Sequence, residues 1–138
     1  MPHRSVLVVD DDEMIRGLLA TVLKRHGVVC EFAVNGEEAI RMLGERAYAM
    51  VLLDLMMPRA DGFAVIAHLR EKGIRTPVVV VTAAGPNKTA DLDAHVVRAV
   101  LSKPFEIFHL IDTVTALCGV IEIDVAEERR GATPLPPI

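Results

Sequence analysis

With 138 residues, 51% of them hydrophobic and 25% charged, the chain has ordinary globular usage and enough length for one self-sufficient core. A net charge of -4 argues against the clustered Lys and Arg footprint of a nucleic-acid-binding domain. No apolar run approaches the roughly 20 residues of a membrane span, and Met1-Pro2-His3-Arg4 leads straight into a strand with no signal-peptide core, so a cytoplasmic location is expected.

Residues 5–9 are rich in β-branched side chains without alternation, the pattern of a central parallel strand covered on both faces. The run stops at Asp10-Asp11-Asp12. From Glu13 onward, Ile15, Leu18, Leu19, Val22 and Leu23 form one stripe of an amphipathic helix, with Gly27 as its C′ residue. A second strand is predicted over residues 28–34, and Asn35-Gly36 opens a helix that carries Ala39, Ile40 and Leu43 inward and ends near Gly44 or Arg46. Residues 49–53 read as a third strand, cut short by Asp54 and followed by a turn with Pro58 and Gly62. Asp61 is a good N-cap for a helix with Phe63, Ile66 and Leu69 facing the sheet, ending at Lys72-Gly73.

Pro77 precedes a fourth strand, residues 78–81, which runs into Thr82. A turn at residues 83–87 and a polar helical segment from Lys88 to about His95 follow, the latter with few apolar anchors. Residues 96–101 form a fifth strand interrupted by Arg98, and Ser102-Lys103-Pro104 ends it. Ile107, Leu110, Ile111, Val114, Leu117 and Cys118 make the last helical stripe. Five strands alternating with five helices imply an α/β fold, a doubly wound sandwich around a parallel sheet with right-handed crossovers. Cys30 and Cys118 read as small buried hydrophobes rather than as a disulfide or metal pair.

The domain is expected over residues 1–118, with residues 119–138 as a C-terminal extension. There Ile121, Ile123 and Val125 alternate with Glu122 and Asp124, a pattern that suits an added edge strand, a helical extension or a partly disordered tail alike. Pro134, Pro136 and Pro137 favour disorder or polyproline II beyond Gly131.

In an open parallel sheet, ligands bind at the carboxyl ends of the strands. Asp10 and Asp11 follow the first strand, Asp54 the third, Thr82 the fourth and Lys103 the fifth. Taken singly, each has a structural explanation: aspartates after strands cap helices, and Pro104 would start the last helix at its first position. Their joint placement points to one site. Two unit charges 4 Å apart repel by roughly 4 kcal/mol at an effective dielectric near 20, so a trio of acids calls for a cation. Oxygen donors with room for water suit Mg²⁺ shared with a phosphate. Lys103 and Thr82 would contact phosphoryl oxygens, and a carboxylate would act as nucleophile.

Val8-Val9-Asp10-Asp11-Asp12, Asp54-Leu55-Met56-Met57-Pro58 with Asp61-Gly62-Phe63, Val81-Thr82-Ala83 and Ser102-Lys103-Pro104-Phe105 resemble the motifs of the receiver domain of two-component response regulators, over about residues 4 to 118. The resemblance implies a flavodoxin-like sheet of order 2-1-3-4-5. It implies Asp54 as phosphoacceptor, Asp11 as a direct Mg²⁺ ligand, Asp10 as an acid acting through water, and the Met56 backbone carbonyl as a further ligand. Thr82 would be the switch hydroxyl and Lys103 the phosphate contact. The donor would be a sensor histidine kinase, a phosphotransfer protein or a small phosphodonor. The downstream partner would read the face made by the fourth helix, fifth strand and fifth helix, through which members also pair as homodimers.

Two departures stand out. Val100 replaces the aromatic residue that the family usually has three positions before the lysine, and Val96-Val97 replace a small Gly-Ala pair, so coupling from Thr82 to the output face is expected to be weaker. Met56 and Ala84, two past Asp54 and Thr82, cannot orient an attacking water through a side-chain hydrogen bond, so slow dephosphorylation is expected. The chain is thus expected to be a single-domain receiver that signals by phosphorylation-dependent protein contact and catalyses only its own phosphorylation and dephosphorylation. A phosphate-independent interaction module and a Mg²⁺-dependent aspartyl phosphatase are the alternatives. The phosphatase would need a second acid where Met56 stands.

Overall fold

The three central strands are buried along their whole length: β1 (Val6–Val9), β3 (Met50–Leu53) and β4 (Val78–Thr82). A continuously apolar run demands that setting, because it has no face to give to water. The computed structural model of the chain describes residues 5–57 and 61–118. Strands β2 (Cys30–Ala33) and β5 (Val97–Ser102) close the two edges, and the sheet order is β2-β1-β3-β4-β5. All neighbouring pairs are parallel. The expected doubly wound sheet and its order are therefore present.

Helix ends follow local chemistry. In α1 (Glu13–Arg25) the Asp12 carboxylate accepts the N–H groups of Met14 and Ile15, and Gly27 closes the far end at φ 78°. In α2 (Gly36–Glu45) the Asn35 side chain accepts the Glu38 N–H at 2.8 Å while Glu38 reaches back to the Val34 N–H at 3.1 Å. This reciprocal pair satisfies two otherwise orphaned donors. Asp61 caps α3 (Gly62–Glu71), as the sequence predicts.

Two apolar layers flank the sheet. Ala39, Leu43, Val65, Ile66 and Leu69 from α2 and α3 cover one face. Leu19 and Leu23 from α1, with Leu110 and Val114 from α5 (Ile107–Cys118), cover the other. Tyr48 is buried in the loop before β3 and donates its hydroxyl to Glu31 at 2.8 Å, and Arg46 holds the other oxygen of Glu31 at 2.9 Å. The β2 edge is thereby tied to the loop before β3.

Several expectations need correcting. Leu18 and Phe63 are exposed. The buried row of α3 runs through Gly62, Val65, Ile66 and Leu69, at helical spacing, and Phe63 lies one position off it. Leu18 likewise sits beside the Leu19–Leu23 row rather than in it. The polar segment expected as a helix to about His95 yields only one turn, α4 (Pro86–Thr89). Between that turn and Val96 only Leu92 packs against the core, so helix propagation there has no apolar face to reward it. Asp93 organises the segment instead. Its carbonyl accepts the N–H groups of Val96 and Val97, its carboxylate accepts that of His95, and Arg70 pairs with it at 3.8 Å. Pro104 does not start the last helix; it follows Lys103 through a cis peptide bond, and α5 begins at Ile107. Cys30 is half-buried against the second layer, while the Cys118 side chain and residues 119–138, together with the extension expected there, lie outside the described residues.

Candidate functional site

Parallel register sets the four loop-end features side by side. Val9 pairs with Leu53 and Thr82 with Ser102, so the residues that follow β1, β3 and β5 emerge together. The Asp54 N–H continues the ladder to the Val9 carbonyl at 3.0 Å, and the Lys103 N–H does the same to the Thr82 carbonyl at 2.9 Å. The backbone therefore holds Asp54 and Lys103 in place before any side-chain contact forms.

Asp54 is 6% exposed and both carboxylate oxygens are engaged. Its Oδ1 accepts the Thr82 hydroxyl at 3.0 Å and the Met56 N–H at 3.1 Å, and its Oδ2 accepts the Lys103 ammonium at 3.1 Å. Lys103 also donates to Asp10 Oδ2 at 2.7 Å, which makes it a bridge between two buried carboxylates. Asp10 Oδ1 takes the Asp12 N–H at 2.9 Å. Burial raises the Asp10 pKa above its ordinary 3.8, against the hydrogen bonds from Lys103 and Asp12 that lower it. Burial alone would lower the Lys103 pKa, but the hydrogen bonds and charges of Asp10 and Asp54 outweigh it and hold the ammonium above its ordinary 10.5. The two directions agree on one point: the ammonium is secure, and Asp10 is the strained partner.

Asp10, Asp11 and Asp54 each place a carboxylate oxygen within 4.8 Å of the others, with Asp11 exposed at the rim. Fully ionised, three carboxylates face one ammonium, a shortfall that a divalent cation would match. The donors are hard oxygens and the rim is open to water. That set fits Mg²⁺, which keeps part of its hydration shell.

Sequence reasoning brought together Asp10, Asp11, Asp54, Thr82 and Lys103, and the structure does the same. Met56 lies on the loop after Asp54, with its side chain 50% exposed and its N–H on the Asp54 carboxylate. Three supporting contacts were not foreseen. Arg16 Nη1 donates to the Asp10 carbonyl at 2.8 Å, one turn into α1. The Ala84 N–H caps the Thr82 hydroxyl oxygen at 3.2 Å. A Cβ on Gly62 would lie 2.5 Å from the Asp54 carbonyl oxygen and 2.7 Å from Leu55 Cα, so only glycine lets α3 approach the loop that carries Asp54. The Asp61-Gly62 pair in the sequence is a signal for the last of these; nothing in the sequence announces the first two.

Fold and site together define a receiver architecture, and comparison with known proteins agrees. The family model for the response regulator receiver domain matches residues 6–115. The chain belongs to that family. It is 34% identical over 134 residues to the transcriptional regulatory protein TcrA of Mycobacterium tuberculosis, covering 96% of this chain and 49% of that protein. It is 44% identical over 81 residues to the transcriptional regulatory protein SrrA of Staphylococcus aureus, covering 59% of this chain and 33% of that protein. The chain thus spans half or less of the length of these curated relatives. Among solved structures, the Francisella response regulator 1452 receiver domain superposes with a TM-score of 0.77 at 33% identity, over 85% of this chain and 98% of that one. The response regulator TrrA from Thermotoga maritima, solved in complex with Mg(2+)-BeF, gives 0.75 at 31% identity, over 83% of this chain and 99% of that one. No helix among the described residues is long and apolar enough to cross a membrane.

Proposed function

We propose that this receiver accepts a phosphoryl group on Asp54 from a sensor histidine kinase, a phosphotransfer protein or a small phosphodonor, and signals by phosphorylation-dependent protein contact. The observation that carries this is the convergence of Thr82, Lys103 and the Met56 N–H on one buried carboxylate beside two further acids. An Asp54 oxygen attacks phosphorus; the new O–P bond forms as the donor's N–P or acyl O–P bond breaks, and the imidazole or carboxylate departs with the bonding pair. Asp10, Asp11, Asp54 and the Met56 carbonyl would hold Mg²⁺. When bound, Mg²⁺ supplies positive charge against the phosphoryl oxygens. Lys103 supplies a second positive charge beside Asp54.

Transfer moves negative charge from the Asp54 carboxylate, which Thr82 and Lys103 now contact, onto the phosphoryl oxygens. The Thr82 hydroxyl, 1% exposed, exchanges its bond to Asp54 for one to a phosphoryl oxygen, and the chain around α4 and β5 follows. The face of α4, β5 and α5 is the surface that a downstream partner reads. The protein acts on no other substrate and catalyses only its own phosphorylation and dephosphorylation. With Met56 and Ala84 flanking the site, the phosphorylated form is long-lived.

Intact-mass measurement after incubation with acetyl phosphate and Mg²⁺ tests this. A single phosphoryl addition is expected, lost in Asp54→Asn and lost on chelation. Absence of the addition both with acetyl phosphate and with a panel of phosphorylated kinases would overturn it.

A further inference from the structure

The three acids of the site are not held alike. The Asp54 carboxylate is fixed by Thr82, Lys103 and the Met56 N–H, and that of Asp10 by Lys103 and the Asp12 N–H. Asp11 is exposed, and among the described residues no hydrogen-bond donor reaches its carboxylate. Its place within 4.8 Å of the other two is therefore set by the backbone that carries it.

That backbone has a side-chain anchor. Strand β1 ends at Val9, whose carbonyl takes the Asp54 N–H as the last rung towards β3. The Asp10 carbonyl lies one residue further on, in a residue only 3% exposed, where an unpaired carbonyl would be costly. Arg16 Nη1 meets it at 2.8 Å, a charge-assisted bond sent back from the first turn of α1. The carbonyl of Asp10 and the N–H of Asp11 belong to one planar peptide unit, so the bond that fixes the first also fixes the direction in which Asp11 leaves the strand.

We propose that Arg16 is a positioning residue for divalent-cation binding: by holding the Asp10–Asp11 peptide it keeps the Asp11 carboxylate beside those of Asp10 and Asp54. The role rests on the Mg²⁺-assisted phosphoryl transfer proposed for Asp54. The guanidinium is spent on a carbonyl rather than on a carboxylate, so it orients the acids without neutralising them. Charge alone would act with the opposite sign: taking a positive group away from the acids would tighten cation binding, whereas losing a positioning group weakens it.

Calorimetric titration of the full chain with Mg²⁺ alone tests this. Arg16→Met is expected to weaken the affinity about tenfold. Arg16→Lys, whose ammonium can still meet the carbonyl, is expected to stay within about threefold of the wild type. In phosphorylation from acetyl phosphate, the Mg²⁺ concentration giving half the maximal rate is expected to rise in Arg16→Met by the factor seen in calorimetry, with the maximal rate within about twofold of the wild type. A lower melting temperature with unchanged Mg²⁺ affinity would mean that Arg16 only supports the fold, and would overturn the proposal. Tighter binding by Arg16→Met would overturn it as well, since repulsion between guanidinium and cation would then dominate. Failure of the wild type itself to bind Mg²⁺ would overturn the phosphoryl reading together with this one; binding and phosphorylation by the wild type, undiminished in Arg16→Met, would overturn the positioning role alone.

Discussion

The Lys103 ammonium lies 2.7 Å from Asp10 Oδ2, joining residues 93 positions apart in the chain, and the same nitrogen reaches Asp54. Yet the Asp10 pKa stays raised, because burial costs its ionised form more than lysine returns. A group with a raised folded pKa contributes stability below its unfolded value, here 3.8, and loses it as pH climbs through the folded value. At neutral pH the ionised Asp10 therefore works against the fold when no metal is bound. Asp10→Asn is expected to raise the melting temperature by a few degrees in chelator at neutral pH and to abolish the further rise on adding Mg²⁺. A lower melting temperature in chelator would show that the Lys103 pair outweighs burial.

Gly62 sets how close α3 comes to the strand end. With backbone rather than a flexible side chain 2.5 Å from the added carbon, Gly62→Ala must displace the loop after Asp54. Overpacking of this kind costs about 1–3 kcal/mol. Phosphorylation from acetyl phosphate, measured well below the melting temperature, is expected to slow at least tenfold. Unchanged rates in a folded variant would mean that the shift is absorbed by α3.

Tyr48 is the single tyrosine of the chain, so its titration can be read directly from tyrosinate absorbance. Burial, then the hydrogen bond to Glu31, pushes its pKa from 10.0 up to about 12. The stability this represents is complete below pH 10 and lost as pH rises towards 12. A midpoint near 12, merging with alkaline unfolding, is expected; a reversible midpoint near 10 in folded protein would contradict it. Tyr48→Phe leaves the Glu31 acceptor to Arg46 and is expected to cost about 0.5–1.5 kcal/mol.

Val100 lies open to solvent and is too small to swing into the space beside Thr82 as an aromatic ring would. In a double-mutant cycle of Thr82→Ala with Val100→Ala, read as stabilisation by beryllofluoride and Mg²⁺, the two effects are expected to add within about 0.5 kcal/mol. Strong coupling would show that Val100 reports the state of Thr82 after all.

The sequence by itself determined the elements whose signal is local and strong. Unbroken apolar runs marked the central strands, and the caps Asp12, Asn35 and Asp61 and the closing Gly27 and Gly73 bounded the first three helices. Because chemistry sits at strand ends in this architecture, Asp10, Asp54, Thr82 and Lys103 could be named from where each run stops. Strand order came from the resemblance, since alternation of strand and helix allows several orders. Tertiary structure alone decided the rest, for one physical reason: it depends on which groups meet across the sheet. Competition for the core turned Val65 inward and left Phe63 outside. The lack of an apolar face let α4 end after one turn and exposed Val100. The bridging of Asp10 and Asp54 by Lys103, and the grip of Arg16 on the Asp10 carbonyl, are distances between separate elements, which no local pattern encodes.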